Sequence, residues 1–269
     1  MATIGFIGTG NMGGALAIAA GKGAEGDQIL LCDKDKTAAL RISHGIPGAH
    51  IVEKDALVRR SDFIFIGVKP HMLSGLFEEL SSALHKRAAE PPVLVSMAAG
   101  VSIAQIKALA GDDFPVVRIM PNVPVSVGEG IIMLSRDELV SDEDFNDLLR
   151  ILSQAGELMP IEERLIDAGS AVSGCGPAFA ALFIEALADG GVAVGLPRLT
   201  AAKLAVQTLI GTGVLQMKNH VHPGIIKDQV CSPGGSTIQG VRVLEEDGFR
   251  GAVMDAVIAA YEKTLELGK

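Results

Sequence analysis

The chain of 269 residues has no tryptophan, one tyrosine and nine phenylalanines, so aromatic side chains are only 4% of it. A core with few large rings must be assembled from Ala, Val, Leu and Ile. At 48% hydrophobic residues the supply suffices for one large domain or two modest ones. Cysteine is equally scarce: Cys32, Cys175 and Cys231 have no metal-ligand spacing and form no disulfide framework. That argues against a stapled secreted scaffold and fits a reducing cytoplasm. The six histidines are scattered without an H-x-x-x-H spacing, so no metal is expected. Positive charge is also short. Lys and Arg number 23 against 32 Asp and Glu, a net charge of −9, which excludes general nucleic-acid binding. Long hydrophobic runs are missing too, although mean hydropathy is +0.37. Val93 to Ala104 and Ala178 to Ile184 fall short of the roughly 20 residues that span a bilayer. The N-terminus begins a strand and not a secretory signal. A cytoplasmic globular protein without membrane or nucleic-acid partners is expected.

What is present starts at once. Thr3 to Ile7 reads as a buried strand, and Gly8-Thr9-Gly10-Asn11-Met12-Gly13 opens a helix running to about Lys22. This is G-x-G-x-x-G after a strand and before a helix, the setting in which it marks a dinucleotide site. The first Gly permits the tight turn, the second lets a pyrophosphate approach, and the third allows close helix–strand packing. The second strand, Gln28 to Cys32, ends in Asp33-Lys34-Asp35-Lys36. An acid at this point hydrogen-bonds the adenosine ribose of NAD, whereas the adjacent lysines suit the 2′-phosphate of NADP. Asp35 also reads as a cap for the helix near Thr37. Further buried strands, Asp62 to Val68, Val93 to Met97, Val116 to Met120 and Ile131 to Leu134, alternate with helices, the last from about Asp142 to Ser153. The pattern implies a Rossmann-type, doubly wound, mostly parallel sheet over 1–162. Val68-Lys69-Pro70 and Asn122 sit at strand ends, where such sheets bind ligands. Asn122 has the donor and acceptor that a nicotinamide carboxamide needs; an Asx-turn between its flanking prolines is the competing reading.

After Ile161 the strand pattern stops, and 163–269 reads as all-helical: Glu163 to Ala171, Pro177 to Val194, Pro197 to Met217, Pro223 to Val230, Ile238 to Glu246 and Gly251 to Leu267. Ser173-Gly174-Cys175-Gly176-Pro177 interrupts what would otherwise be one long helix. Between two apolar helices lies Val230-Cys231-Ser232-Pro233-Gly234-Gly235-Ser236-Thr237. Its glycines let the backbone approach a ligand, and free N–H groups at a helix start suit a carboxylate. A capped helix start is the plainer alternative.

Ser232 to Thr237, with Val243-Leu244-Glu245 and Gly248-Phe249-Arg250-Gly251, resembles the signature of pyrroline-5-carboxylate reductase, an NAD(P)H-dependent imine reductase of proline biosynthesis. The resemblance extends to Val68-Lys69-Pro70, to Met120-Pro121-Asn122-Val123-Pro124 (Val123 where the family has Thr), and to Ser173-Gly174-Cys175-Gly176-Pro177-Ala178 (Cys175 where the family has Ser). It also takes in Glu185 to Val192, Gly195 to Arg198, His222 to Gly224 and Lys227 to Val230. It implies that Gly8 to Gly13, Asp33, Lys34, Val68, Lys69, Pro70, Asn122, Ser173 and Cys175 hold NADP(H) or NAD(H). It implies that Val230, Ser232, Gly234, Gly235, Ser236 and Thr237 hold the substrate, with the Thr237 hydroxyl on the ring nitrogen as the catalytic contact. Asp33 departs from the family's Asn or Ser. An interlocked homodimer is implied, assembled into a larger ring such as a decamer. The nearest competing reading, a β-hydroxyacid dehydrogenase, requires a Lys on the helix after the Gly-rich break. Ala178 to Glu185 contains none.

Overall fold

The computed structural model describes residues 1–23 and 27–267; residues 24–26, and the last two of the expected helical domain, 268–269, lie outside the described residues. Strands and helices alternate: β1 (Thr3–Ile7), α1 (Asn11–Gly23), β2 (Gln28–Cys32), α2 (Lys36–Ser43), β3 (His50–Ile51), α3 (Lys54–Arg60), β4 (Phe63–Ile66), α4 (Leu73–His85), β5 (Val93–Ser96), α5 (Ile103–Ala110) and β6 (Val116–Pro121). Each crossover helix returns the chain so that the next strand lies parallel to the last. β7 (Gly130–Arg136), α6 (Asp142–Leu152) and β8 (Gly156–Pro160) complete a sheet ordered β3-β2-β1-β4-β5-β6-β7-β8. Among the described residues only the β6–β7 pair is antiparallel. Between β6 and β7 lies only a 3-10 turn, Val123–Val127, too short for a crossover helix, so the chain must double back.

Strand alternation feeds two apolar layers. Phe6, Phe65, Val95, Val117 and Ile119 face α1 and α6, meeting Leu16, Ala17, Leu148 and Ile151. Ile64, Ile66, Leu94 and Val116 face α3, α4 and α5, meeting Leu57, Phe77, Leu80 and Ile106. The Phe6 and Phe65 rings stack with centroids 4.5 Å apart. Both faces of the central strands are therefore covered, as a parallel sheet requires.

The chain separates into two compact units, Met1–Gly174 with the residues from Tyr261 onward, and Cys175–Ala260. In the first, α7 (Ile166–Ser173) packs Ile166 against Met120 and Met133 of the sheet. Its Gly169 comes so near Met133 that a Cβ there would lie 2.2 Å from the sulfur. The second unit contains α8 (Gly176–Ala193), α9 (Arg198–Asn219), α10 (Pro223–Val230), α11 (Ser236–Glu246) and the start of α12 (Phe249–Leu267). Ala188, Ala201 and Ala205 form the buried contact between α8 and α9, and Arg198 bridges to Asp189.

Two expectations need correction. The Gly-rich segment barely interrupts its helix, because Gly174 and Cys175 both stay in the right-handed helical region and Gly174 N–H still donates to Ser170. A 31-residue helical run, Glu163–Ala193, results, with an 18-residue window of mean hydropathy 1.6 that is 11% buried. By length and composition it is long and apolar enough to cross a membrane, so the sequence-based limit on apolar runs does not hold. Val172, Phe179, Leu182, Phe183, Ile184 and Leu187, with the alanines between them, supply that hydropathy, and reading Ser, Gly and Pro as breakers hid it.

Candidate active site

The glycine loop closes the carboxyl end of β1 onto β4. Gly8 has φ +91°, which a side chain disfavours. A Cβ on Gly13 would lie 2.0 Å from the Gly8 carbonyl oxygen, and one on Gly67 would lie 2.6 Å from the same atom. Three glycines thus bring strand, helix and strand together backbone to backbone. Gly10 differs, since nothing lies within 4 Å of where its Cβ would be. It opens onto a cleft of about 680 Å³ lined also by Gly8, Asp33, Lys34, Val68 and Lys69. A dinucleotide fits this arrangement: a glycine flush with open space, at the start of a helix whose N–H groups favour phosphate.

The cleft also contains Lys54 and Glu79, joined as an ion pair, together with Met72 and Gly75. The sequence reading missed these four. A Lys opening the helix after β3 and a Gly and Glu four apart on the helix after Lys69-Pro70 were the available signals. Cys32, also on the cleft, is held neutral because burial pushes its thiol pKa up, as a filler and not a nucleophile requires.

Several expected contacts are committed internally. Thr9 is fully buried; its N–H and hydroxyl both donate to Asp33 Oδ2, at 2.6 and 3.1 Å. Thr9 therefore shapes the loop and does not present a donor to the cleft. Asp33 Oδ1 accepts from Asp35 N–H at 2.9 Å, so Asp33 joins β2 to the glycine loop as well as lining the cleft. Asp35 caps α2, accepting from the Thr37 N–H and hydroxyl, and these bonds hold its carboxyl below the usual range. Asn11 and Met12 open α1, and Pro70 begins a 3-10 turn; none of the three lines the cleft. Asn122, buried after β6, donates through Nδ2 to the Ser173 carbonyl at 3.0 Å and accepts through Oδ1 from Ile131 N–H at 2.9 Å. It is a joint between β6, β7 and α7, not an Asx-turn.

In the second unit, Val230 ends α10 with its side chain exposed, and Ser232 to Gly234 form an exposed turn. The turn is closed by Gly235 N–H donating to the Ser232 carbonyl at 3.0 Å, with Gly234 at φ +69°. Gly235 is the N-cap of α11 and supplies no side-chain cap. Ser236 and Thr237 follow as its first two residues, both exposed, with no partner for either hydroxyl among the described residues. The helix start is thus uncapped, with two free hydroxyls beside it. Cys175 lies in this unit, at the start of α8.

An open doubly wound sheet with a glycine loop of this form, followed by a helical unit, defines a nicotinamide-dinucleotide oxidoreductase. Residues 163–267 match the family description "Pyrroline-5-carboxylate reductase dimerisation", and 3–100 match "NADP oxidoreductase coenzyme F420-dependent". The pyrroline-5-carboxylate reductase of Escherichia coli K12 is 41% identical over 99% of this chain and 98% of its own. A pyrroline carboxylate reductase from Plasmodium falciparum, solved with NADP bound, is 30% identical with a TM-score of 0.88, covering 100% of this chain and 98% of that one. A pyrroline-5-carboxylate reductase from Coxiella burnetii is 28% identical with a TM-score of 0.89, covering 100% and 99%. The chain belongs to the pyrroline-5-carboxylate reductase family.

Proposed function

We infer that the chain reduces 1-pyrroline-5-carboxylate to L-proline with NAD(P)H, the last step of proline biosynthesis. The observation that carries this reading is the uncapped turn Ser232 to Thr237, in a chain 41% identical to a reductase of that name over nearly its whole length. A cofactor-binding fold alone would need no such turn.

In this reading the loop Gly8 to Gly13 holds the pyrophosphate, Asp33 and Lys34 meet the adenosine ribose, and Val68 and Lys69, followed by the turn that Pro70 begins, flank the cofactor. Ser173 and Cys175 attend the nicotinamide, with Asn122 holding the Ser173 carbonyl through its Nδ2. The reduced nicotinamide supplies a hydride to the imine carbon. The N–H groups at the start of α11, with Ser232, Gly234, Gly235 and Ser236, receive the substrate carboxylate, and Val230 adds an apolar edge. The Thr237 hydroxyl accepts a hydrogen bond from the protonated ring nitrogen. That proton remains on nitrogen when the C=N double bond becomes a single bond, so no side chain need act as a general acid. Orientation and fixed dipoles then provide most of the acceleration.

The organisation proposed is a dinucleotide domain over 1–162 and a dimerisation and substrate domain over 163–269. The assembly is a cytoplasmic homodimer built into a larger ring such as a decamer. Purified protein mixed with pyrroline-5-carboxylate should consume NADH or NADPH, read at 340 nm, and release proline. A folded sample that binds the cofactor yet turns over neither would overturn the assignment.

A further inference from the structure

Arg118 is the one charged residue in β6, VVRIMP, and its side chain is only 4% exposed. It lies on the face of the sheet that carries Val116 and Met120, beneath α5 and α7. Its Nη2 donates to Asp167 at 2.5 Å and its Nη1 to Glu163 at 3.5 Å. Nε is buried without a partner, so the guanidinium is held by its two terminal nitrogens alone. Glu163 Oε1 also accepts from Ile103 N–H at 2.7 Å, which draws the start of α5 into the same cluster.

A buried ion pair is a poor way to gain stability, because apolar groups of the same shape usually serve as well. Its distinctive property is direction. The apolar contact of Ile166 with Met120 and Met133 would tolerate sliding or rotation of α7. Arg118–Asp167 near its first turn and Asn122–Ser173 at its last residue would not. Helix α7 is thereby fixed at both ends, to β6 and to the residue that follows it, and it ends on Ser173, one of the residues assigned above to the nicotinamide.

We propose that Arg118 is a positioning residue for hydride transfer, acting through Asp167 and α7 without touching cofactor or substrate. This rests on the reading of Ser173 and Cys175 given above. An ångström of misplacement costs on the order of a hundredfold in rate, so a loosened α7 should slow the chemical step while leaving the glycine loop intact.

The test uses Asp167→Asn, which keeps the shape but removes the charge and turns one acceptor oxygen into a donor, and Arg118→Lys, which keeps the charge but loses the fork. The parent enzyme is assayed first; no turnover there defeats the functional reading and not this one. Each variant is then measured for melting temperature, for cofactor affinity by NADPH fluorescence without substrate, for kcat and KM, and for the primary isotope effect with C4-deuterated cofactor. Cofactor affinity should hold, kcat should fall by roughly tenfold, and the isotope effect should rise as hydride transfer becomes limiting. The double variant should be no slower than the slower single one, because both act through one contact. Parent kcat and isotope effect in either folded variant would overturn the proposal. So would a parallel loss of cofactor affinity, which would place Arg118 in binding.

Discussion

Thr237 is the second residue of α11, after a Gly235 cap that offers no side chain. Its hydroxyl makes no bond within the described chain, so removing it should leave stability nearly unchanged. A capping Thr would instead cost about 1 kcal/mol. If it meets the protonated ring nitrogen, Thr237→Val loses a bond to a charged group worth about 1.5–3 kcal/mol. At 1.36 kcal/mol per factor of ten, kcat/KM falls roughly ten- to a hundredfold. Melting temperature, cofactor binding and turnover on one preparation decide it. A stable, kinetically normal variant would remove Thr237 from the site. Asp33 calls for a two-part outcome. Asp33→Ser removes the acceptor of the buried Thr9 N–H, with a stability loss of about 1–3 kcal/mol. It also removes a negative charge from the end of the cleft where Lys34 remains, so the ratio of NADH to NADPH dissociation constants should move toward NADPH. An unchanged ratio with lowered stability would make Asp33 a loop tether only. At this scale the sequence showed which residues mattered better than what they touch. Thr9 and Asn122 were legible as motif members, but their hydrogen bonds join residues 24 and 51 apart. The Arg118 cluster left only faint marks, an Arg inside an apolar strand and two acids four apart.

Among the elements, the glycine loop permits the sharpest separation of folding from binding. Gly13→Ala would drive a methyl to 2.0 Å from the Gly8 carbonyl oxygen, and backbone atoms cannot yield as a side-chain tip does. Gly10→Ala meets nothing in the protein within 4 Å and points its methyl into the cleft. The expected outcome is a Gly10→Ala protein with near-parent melting temperature and severely weakened cofactor affinity, and a Gly13→Ala protein that is strongly destabilised. Thermal unfolding with and without NADPH distinguishes them. A Gly10→Ala variant still stabilised by cofactor to the parent's degree would contradict the placement of the pyrophosphate. Elements buried on both faces were the readable ones: β1, β2, β4, β5 and β6 are apolar runs between turn residues. β3 spans two exposed residues, and β8, GELMP, is an edge strand containing Glu and Pro, so neither has a period to detect. The antiparallel direction of β7 follows from the missing crossover, a property of spacing and not of the strand's own residues.

For the whole molecule the telling quantity is how little the second unit buries. Within Cys175–Ala260 the buried apolar residues are Ala188, Ala201, Ala205 and Ile226. Leu182, Val194, Leu199, Met217 and Met254 are each at least 60% exposed. Exposed apolar surface on that scale marks an interaction face, and the family match to a dimerisation region spans it, 163–267. A second copy is the natural cover, because a two-fold interface presents the same patch twice. Each large apolar side chain so covered contributes about 1.5–3 kcal/mol. The same argument accounts for the apolar helical run Glu163–Ala193 without a bilayer. Leu182→Glu sits mid-helix in α8, where Glu is a good helix former, so the isolated helix survives while a charge enters the face twice. Sedimentation should show the parent as a dimer or a multiple of dimers, and Leu182→Glu shifted toward monomer. The variant should lose turnover yet still bind cofactor, since the cleft lies wholly in the first unit. A parent that is active as a dilute monomer would refute the dimeric assembly, and one that stays in solution only with detergent would return the Glu163–Ala193 helix to a membrane.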